Sequence, residues 1–124
     1  KDHINFNSSN KVIQANFDRT QLIRVITNLL KNAFQAIPED RTPEIKVSIS
    51  EKDDNVNISI SDNGYGISKN DTEKIFEPSF TTKSSGMGLG LSMIKSIITA
   101  YNGNITFSSK SNVGTTFNIT FPKN

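Results

Sequence analysis

The chain has no cysteine, so neither a disulfide nor a thiolate metal site can contribute to it. That suits a reducing compartment, and the cytoplasm is the expectation. Histidine occurs once, at His3, directly ahead of an alternating segment, where a structural or exposed role is expected. Long apolar runs are also missing. None approaches the roughly 20 residues that a membrane span needs, and no signal peptide is visible. Direct membrane contact is therefore not expected. Internal repeats, low-complexity tracts and linkers are absent as well. A length of 124 residues suits one domain spanning 1–124. The first residue is Lys1 rather than methionine, and the expectation is a fragment of something longer.

Negative charge is missing from the last third of the chain. All 12 acidic residues lie at or before Glu77, and only Lys83, Lys95, Lys110 and Lys123 carry charge beyond it. The first 77 residues hold ten basic and twelve acidic side chains, a net −2, against +4 for the remaining 47. A locally basic stretch rich in Gly, Ser and Thr suits a phosphate-bearing ligand. Nucleic-acid binders show denser basic clusters interleaved with aromatics, so a nucleic-acid partner is not expected. A chance skew on a solvated face stays open.

What is present is pattern. Ile4 and Phe6, then Ile13, Ala15 and Phe17, alternate with polar residues as half-buried strands do. Asp18 with Gln21 makes a capping signal, the Asp accepting backbone N–H groups and the Gln reaching back. Leu22, Val25, Ile26, Leu29, Leu30 and Ala33 then recur at helical spacing, and Pro38 ends the helix. Ile45, Val47 and Ile49, and Val56, Ile58 and Ile60, alternate with polar residues around a turn at Lys52-Asp53-Asp54-Asn55, which predicts a hairpin. Ser68 to Phe76 reads as a short helix. Leu91, Ile94, Ile97, Ile98 and Tyr101 mark a second long helix, capped at Asn102-Gly103. Ile105 and Phe107, then Phe117, Ile119 and Phe121, predict a closing strand pair. Strands that alternate in this way keep one face in water. The expected fold is α+β: a two-layer α/β sandwich with a mostly antiparallel mixed sheet and helices on one face.

Several constellations carry chemistry. Asn28 and Asn32 share one face of the first long helix. A neutral amide oxygen suits Mg²⁺, which keeps several waters and takes few protein ligands. On spacing alone, both amides can equally be surface groups or bond a neighbouring turn. In Asp62-Asn63-Gly64-Tyr65-Gly66, the two glycines permit positive φ and close backbone approach to a flat ligand. Asp62 can accept from an exocyclic amine such as adenine N6, and an ordinary Asp-Asn-Gly turn is the alternative. Gly86-x-Gly88-x-Gly90 opens the second helix, where unblocked N–H groups form an anion site. It is neither the dinucleotide fingerprint, since no strand precedes it and no acidic residue follows it, nor a Walker A loop, since no Gly-Lys-Ser/Thr is present. Phe76-Glu77-Pro78-Ser79-Phe80-Thr81-Thr82-Lys83 carries two aromatics that can pin a segment and a lysine that can reach a terminal phosphate. A core-anchored surface loop is the alternative. Gly114-Thr115-Thr116-Phe117 enters the last strand, with Thr115 able to bond a base or a bridging water.

In that order, NLLKNAFQAI, DNGYGI, FEPSFTTK, GMGLGL and GTTFNITFP resemble the N, G1, F, G2 and G3 boxes of the GHKL superfamily. This superfamily of the Bergerat ATP-binding fold includes gyrase, heat-shock chaperone ATPases and histidine kinases. The likeness covers roughly residues 11–122, and an F box followed by G-x-G-L-G-L is similar to histidine kinases in particular. The resemblance implies ATP and Mg²⁺ as cofactors, with Asn32 holding the metal and Asn28 supporting it one turn earlier. Asp62 would read the adenine amine, with Gly64 and Gly66 shaping the pocket and Thr115 beside them. Thr82, Lys83, Gly86, Gly88, Leu89 and Gly90 would hold the triphosphate, with Phe76 and Phe80 anchoring the lid over it. Asn28, Asn32 and Lys83 are the implied catalytic set. Ser79 departs from the F-E-P-F-F of many relatives, and only Ser84 and Ser85 separate Lys83 from Gly86, which implies a short lid.

ATP-hydrolysing members carry a glutamate four residues before the magnesium asparagine. Asn28 stands there and cannot take a proton, which favours phosphoryl transfer to a protein over hydrolysis. The implied activity is donation of the γ-phosphoryl group to a histidine on a separate upstream dimerisation domain, and through that domain to a response regulator. His3 lies in no H-E-x-x-x-P box, so the phosphoacceptor is expected elsewhere. The isolated domain is expected as a monomer, and its parent as cytoplasmic or membrane-anchored. Two other functions fit the same boxes: an anti-sigma-type protein serine kinase, and a nucleotide-binding regulatory module without catalysis.

Overall fold

The computed structural model describes residues 3–8, 11–69, 72, 74–76 and 87–123. Its elements run β1 (His3–Ser8), β2 (Lys11–Asn16), α1 (Arg19–Gln35), β3 (Lys46–Lys52), β4 (Asn55–Asp62), α2 (Met87–Ala100), β5 (Asn104–Lys110) and β6 (Gly114–Pro122). β1 and β2 form a two-stranded sheet, and the other strands form a four-stranded sheet in the order β3-β4-β6-β5. Every pairing among the described residues is antiparallel. The α+β sandwich expected from the alternation is the fold observed.

Side-chain alternation builds the sheet in rungs. Ile58, Ile119 and Ile105 stand abreast across β4, β6 and β5, and so do Ile60, Phe117 and Phe107. This face is buried against Leu22, Val25 and Leu29 of α1 and Leu91, Ile94 and Ile98 of α2. Each such side chain contributes about 1.5–3 kcal/mol when fully buried. Asn57, Ser59, Thr116 and Asn118 occupy the alternate positions and are half-buried or exposed.

β3 departs from expectation. Its Val47 is 46% exposed although it alternates as cleanly as β4 does. The strand lies at the sheet's edge, paired on one side only within that sheet. The β3–β4 turn puts Asp53 (φ 52°) and Asp54 (φ 67°) both in the left-handed region, as a type I′ hairpin requires.

The helix ends show local signals meeting tertiary ones. Asp18 Oδ1 accepts from the N–H groups of Thr20 (2.9 Å) and Gln21 (3.2 Å), as predicted. Gln21 does not complete the box. The Asp18 N–H donates instead to the Tyr101 hydroxyl at 3.2 Å, because Tyr101 stacks on the buried Phe17 ring with centroids 3.8 Å apart. Gln21 Oε1 is left buried without a partner among the described residues. α2 ends as predicted at Asn102-Gly103. Asn102, at φ 61°, takes the left-handed position, and Gly103 N–H reaches back to the Ile98 carbonyl at 2.9 Å. The short helix expected from Ser68 to Phe76 is absent among its described residues, which make turns. Among the described residues there, the Thr72 N–H donates to the Ser68 carbonyl at 3.2 Å. With so few apolar side chains there is little packing to extend a costly nucleus.

Candidate functional site

A cleft opens where the C-terminal half of α1 meets the end of β4 and the start of β6. Its lining is Asn32, Ala33, Ala36, Asp62, Gly66, Ile67, Thr115 and Phe117. Four residues singled out in the sequence, Asn32, Asp62, Gly66 and Thr115, therefore meet in one place, from three separate motifs.

Asp62 ends β4 and faces Thr115 at the start of β6. Its Oδ1 accepts from the Gly64 N–H at 2.8 Å and the Thr115 N–H at 3.3 Å. Oδ2 takes no partner among the described residues. Burial raises the Asp62 pKa above the ordinary carboxylate value, and the two N–H donors offset part of that rise. The carboxylate is thus tethered by one oxygen and presents the other as a bare acceptor.

Asn32 is buried on α1, and its Nδ2 has no partner among the described residues. An orphaned buried amide costs about 1–3 kcal/mol, and a polar ligand in the cleft would relieve that cost. A half-turn of the side chain exchanges nitrogen for oxygen, so the amide can also offer a hard neutral ligand to Mg²⁺. No group of three or more His, Cys, Asp or Glu is placed to hold a metal among the described residues. One amide oxygen beside phosphates fits an ion that keeps most of its waters.

Gly64 and Gly66 hold the loop between two backbones of the chain itself. A Cβ on Gly64 would lie 2.5 Å from the Ala36 carbonyl oxygen, and one on Gly66 (φ +76°) 2.5 Å from that of Lys110. The Tyr65 N–H donates to the Ala36 carbonyl (2.9 Å), and its own carbonyl accepts from Asn112 N–H (2.6 Å). The close approach read from the glycines is thus to α1's end and the β5–β6 turn.

Sequence reasoning missed two supports. The Arg41 guanidinium donates to the carbonyls of Asn63 and Gly64, from a stretch that reads only as loop. Ser109 on β5 joins Ile67, Gly114 and Thr115 through its hydroxyl. The contacts of Arg41 with the loop and of Ser109 with Ile67 span long sequence separations, so no local signal announces them. Ala36, Ile67 and Phe117, which supply apolar walls, were not singled out as site residues, Phe117 being read only as part of the last strand.

The other predicted residues are placed differently. Asn28 is half-buried one turn before Asn32, outside the cleft lining, and its Nδ2 donates to the Arg24 carbonyl at 2.8 Å. Gly88, Leu89 and Gly90 lie in the first turn of α2, where backbone N–H groups lack helical acceptors. Phe76 packs edge-on against Phe107 at 5.9 Å and takes the Lys95 ammonium over its ring at 5.1 Å, away from the cleft lining. Phe80, Thr82, Lys83 and Gly86 lie outside the described residues. Apolar walls beside a carboxylate acceptor and a buried amide offer the chemistry that an amine-bearing heterocycle with polar groups beyond it would use.

A family model described as histidine kinase-, DNA gyrase B-, and HSP90-like ATPase matches residues 17–124. The sensor histidine kinase ZraS of Escherichia coli is 41% identical over 112 residues, covering 90% of this chain and 23% of ZraS. Sporulation kinase A of Bacillus subtilis is 39% identical over 111 residues, covering 90% of this chain and 18% of the kinase. The chain spans about a fifth of the length of the curated relatives it matches first. Among solved structures, the catalytic domain of histidine kinase ThkA in a nucleotide-free form superposes with a TM-score of 0.81 at 35% identity. That match covers 94% of this chain and 76% of the ThkA chain.

Proposed function

The chain belongs to the histidine kinase-, DNA gyrase B- and HSP90-like ATPase family, and on that premise we propose that it is the ATP-binding catalytic domain of a sensor histidine kinase. It donates the γ-phosphoryl group of ATP to a histidine on a separate dimerisation domain in two-component signalling, and a response regulator receives the group from there. The observation that carries this reading is that Asp62 Oδ2 and the buried Asn32 amide nitrogen, in one cleft, both lack a partner among the described residues.

Asp62 Oδ2 accepts from the exocyclic amine of adenine, while Ala36, Ile67 and Phe117 wall its faces and exclude water. Asn32, on the helix side of the cleft, would hold Mg²⁺ through its amide oxygen. Bound Mg²⁺ supplies charge neutralisation to the triphosphate. The N–H groups at the start of α2, around Gly86, Gly88 and Gly90, receive phosphate oxygens, and Lys83 and Thr82 complete that cradle with Leu89. Phe76 and Phe80 anchor the segment between the F and G2 motifs. Asn28 offers no general base, which leaves positioning and charge neutralisation as the chemistry this chain supplies. In the transfer the bond from the γ-phosphorus to its bridging oxygen breaks, a phosphorus–nitrogen bond forms on the acceptor imidazole, and ADP leaves.

The proposed unit is a single domain over residues 1–124, monomeric alone, cytoplasmic, and joined in the whole protein to an upstream dimerisation domain. Neither nucleic acid nor direct membrane contact enters this reading. Among the described residues no helix is long and apolar enough to cross a membrane. Calorimetry with Mg-ADP and Mg-ATP tests binding, and transfer to a separately expressed dimerisation domain tests chemistry. Saturable binding and an acid-labile phosphoprotein are expected. Absence of binding at millimolar nucleotide, or an acid-stable product, overturns the proposal.

A further inference from the structure

The rungs of the sheet do not stop at Ile60, Phe117 and Phe107. The next rung toward the cleft is Asp62, Thr115 and Ser109: Thr115 is the register partner of Asp62 on one side and of Ser109 on the other. Three polar residues thus stand abreast on the face that is otherwise the hydrophobic core. Thr115 is buried and lines the cleft, whereas Ser109 stands behind it, outside the lining.

The Ser109–Thr115 bond can run either way, and counting protons separates the two arrangements. Ser109 Oγ accepts from the Ile67 N–H at 2.7 Å. It has one proton of its own, with the Gly114 carbonyl at 3.2 Å and Thr115 Oγ1 at 2.9 Å in reach. A carbonyl only accepts, whereas a threonine hydroxyl can do either. When Ser109 donates to Gly114, the Thr115 proton points at Ser109 and every donor in the row is used. Thr115 then shows lone pairs, and no proton, to the cleft. The ionised Asp62 likewise shows only an acceptor.

We infer that Ser109 is a positioning residue that sets the base preference of the site: by holding the Thr115 proton it makes the whole polar rung an acceptor edge. Such an edge suits a purine with an exocyclic amine at position 6, directly or through one water. It disfavours a purine with a carbonyl oxygen there, whose lone pairs would meet those of Asp62 and Thr115. A buried edge that lacks its donor rejects the wrong group strongly, because the polar atoms are left unpaired.

The inference rests on the nucleotide-binding reading above, and its test separates the two. Calorimetry measures ADP and IDP, whose bases differ at position 6 and in the proton that IDP alone carries on N1, on the parent chain and on Ser109→Ala, Ser109→Cys and Ser109→Thr. Thermal unfolding of each variant checks that it is folded. In Ser109→Ala and Ser109→Cys the Thr115 hydroxyl is free to turn its proton into the cleft. The preference for ADP over IDP is expected to shrink about tenfold, the equivalent of one hydrogen bond. Ser109→Thr, which keeps the hydroxyl, is expected to retain the preference. A purely structural role would weaken both nucleotides equally and leave their ratio unchanged. That result in any folded variant lacking the hydroxyl overturns the inference while the nucleotide reading stands. Failure of the parent chain to bind either nucleotide overturns both.

Discussion

Thr115 donates its backbone N–H to Oδ1 of Asp62 at 3.3 Å across neighbouring strands, although 53 positions separate the two residues. The Gly64 N–H, two residues away from Asp62, reaches the same oxygen at 2.8 Å. One carboxylate oxygen is thereby committed to the fold, and the other has no partner among the described residues.

Replacing Asp62 by Ala removes the charged acceptor on which the base is proposed to rest. A hydrogen bond to a charged group is worth about 1.5–3 kcal/mol, so ADP affinity is expected to fall roughly tenfold to a hundredfold. Calorimetric titration reads this directly. Unchanged affinity would take Asp62 out of the adenine role.

The same carboxylate predicts a pH dependence of stability. Burial raises the Asp62 pKa, its largest influence, so the folded state holds this proton more tightly than the unfolded chain. Folding stability therefore declines as pH rises from the ordinary carboxylate value through the raised folded one, and stays lower above it. Asp62→Asn keeps an acceptor for Gly64 and Thr115 but never ionises. The variant without nucleotide is expected to melt above the parent at neutral pH, with the gap closing on acidification. Thermal unfolding across that range checks the sign, and a gap that widens in acid refutes it.

Asn32 separates stability from function. Its Nδ2 is buried and has no partner among the described residues, so Asn32→Ala discards an unsatisfied group and leaves the free domain within about 1 kcal/mol of the parent. Nucleotide affinity in this variant is expected to become insensitive to Mg²⁺. Urea unfolding gives the first quantity; titrations with Mg²⁺ and with a chelator give the second. Retained Mg²⁺ dependence would assign the metal to other ligands.

Gly66 predicts the opposite pattern. At φ +76°, with the Lys110 carbonyl oxygen 2.5 Å from the point a Cβ would occupy, it leaves no room for a side chain. Gly66→Ala is expected to cost at least about 1–2 kcal/mol from left-handed strain alone, plus the displacement of the β5–β6 turn. Denaturant titration measures the loss, and an unchanged midpoint would show that the loop yields freely.

The sequence by itself determined the parts whose causes are local. Alternation at Val56, Ile58 and Ile60 requires a one-sided strand, the spacing from Leu22 to Ala33 requires an amphipathic helix, and Asn102-Gly103 stops α2. The order of the glycine and asparagine motifs was enough to indicate a nucleotide site. Tertiary structure decided what depends on neighbours distant along the chain. Val47 alternates like Ile58 yet is exposed, because only the sheet order puts β3 at an edge. The Asp18 N–H goes to Tyr101 rather than Gln21, because Phe17 stacking brings that hydroxyl across 83 positions. Asn28 and Asn32 are equivalent in spacing, but only Asn32 faces the cleft, since only that turn of α1 packs beside β4's end. The rung Asp62-Thr115-Ser109 exists only once β6 lies between β4 and β5. Backbone pairing sets which polar groups meet in that row, and no local pattern of residues carries that information.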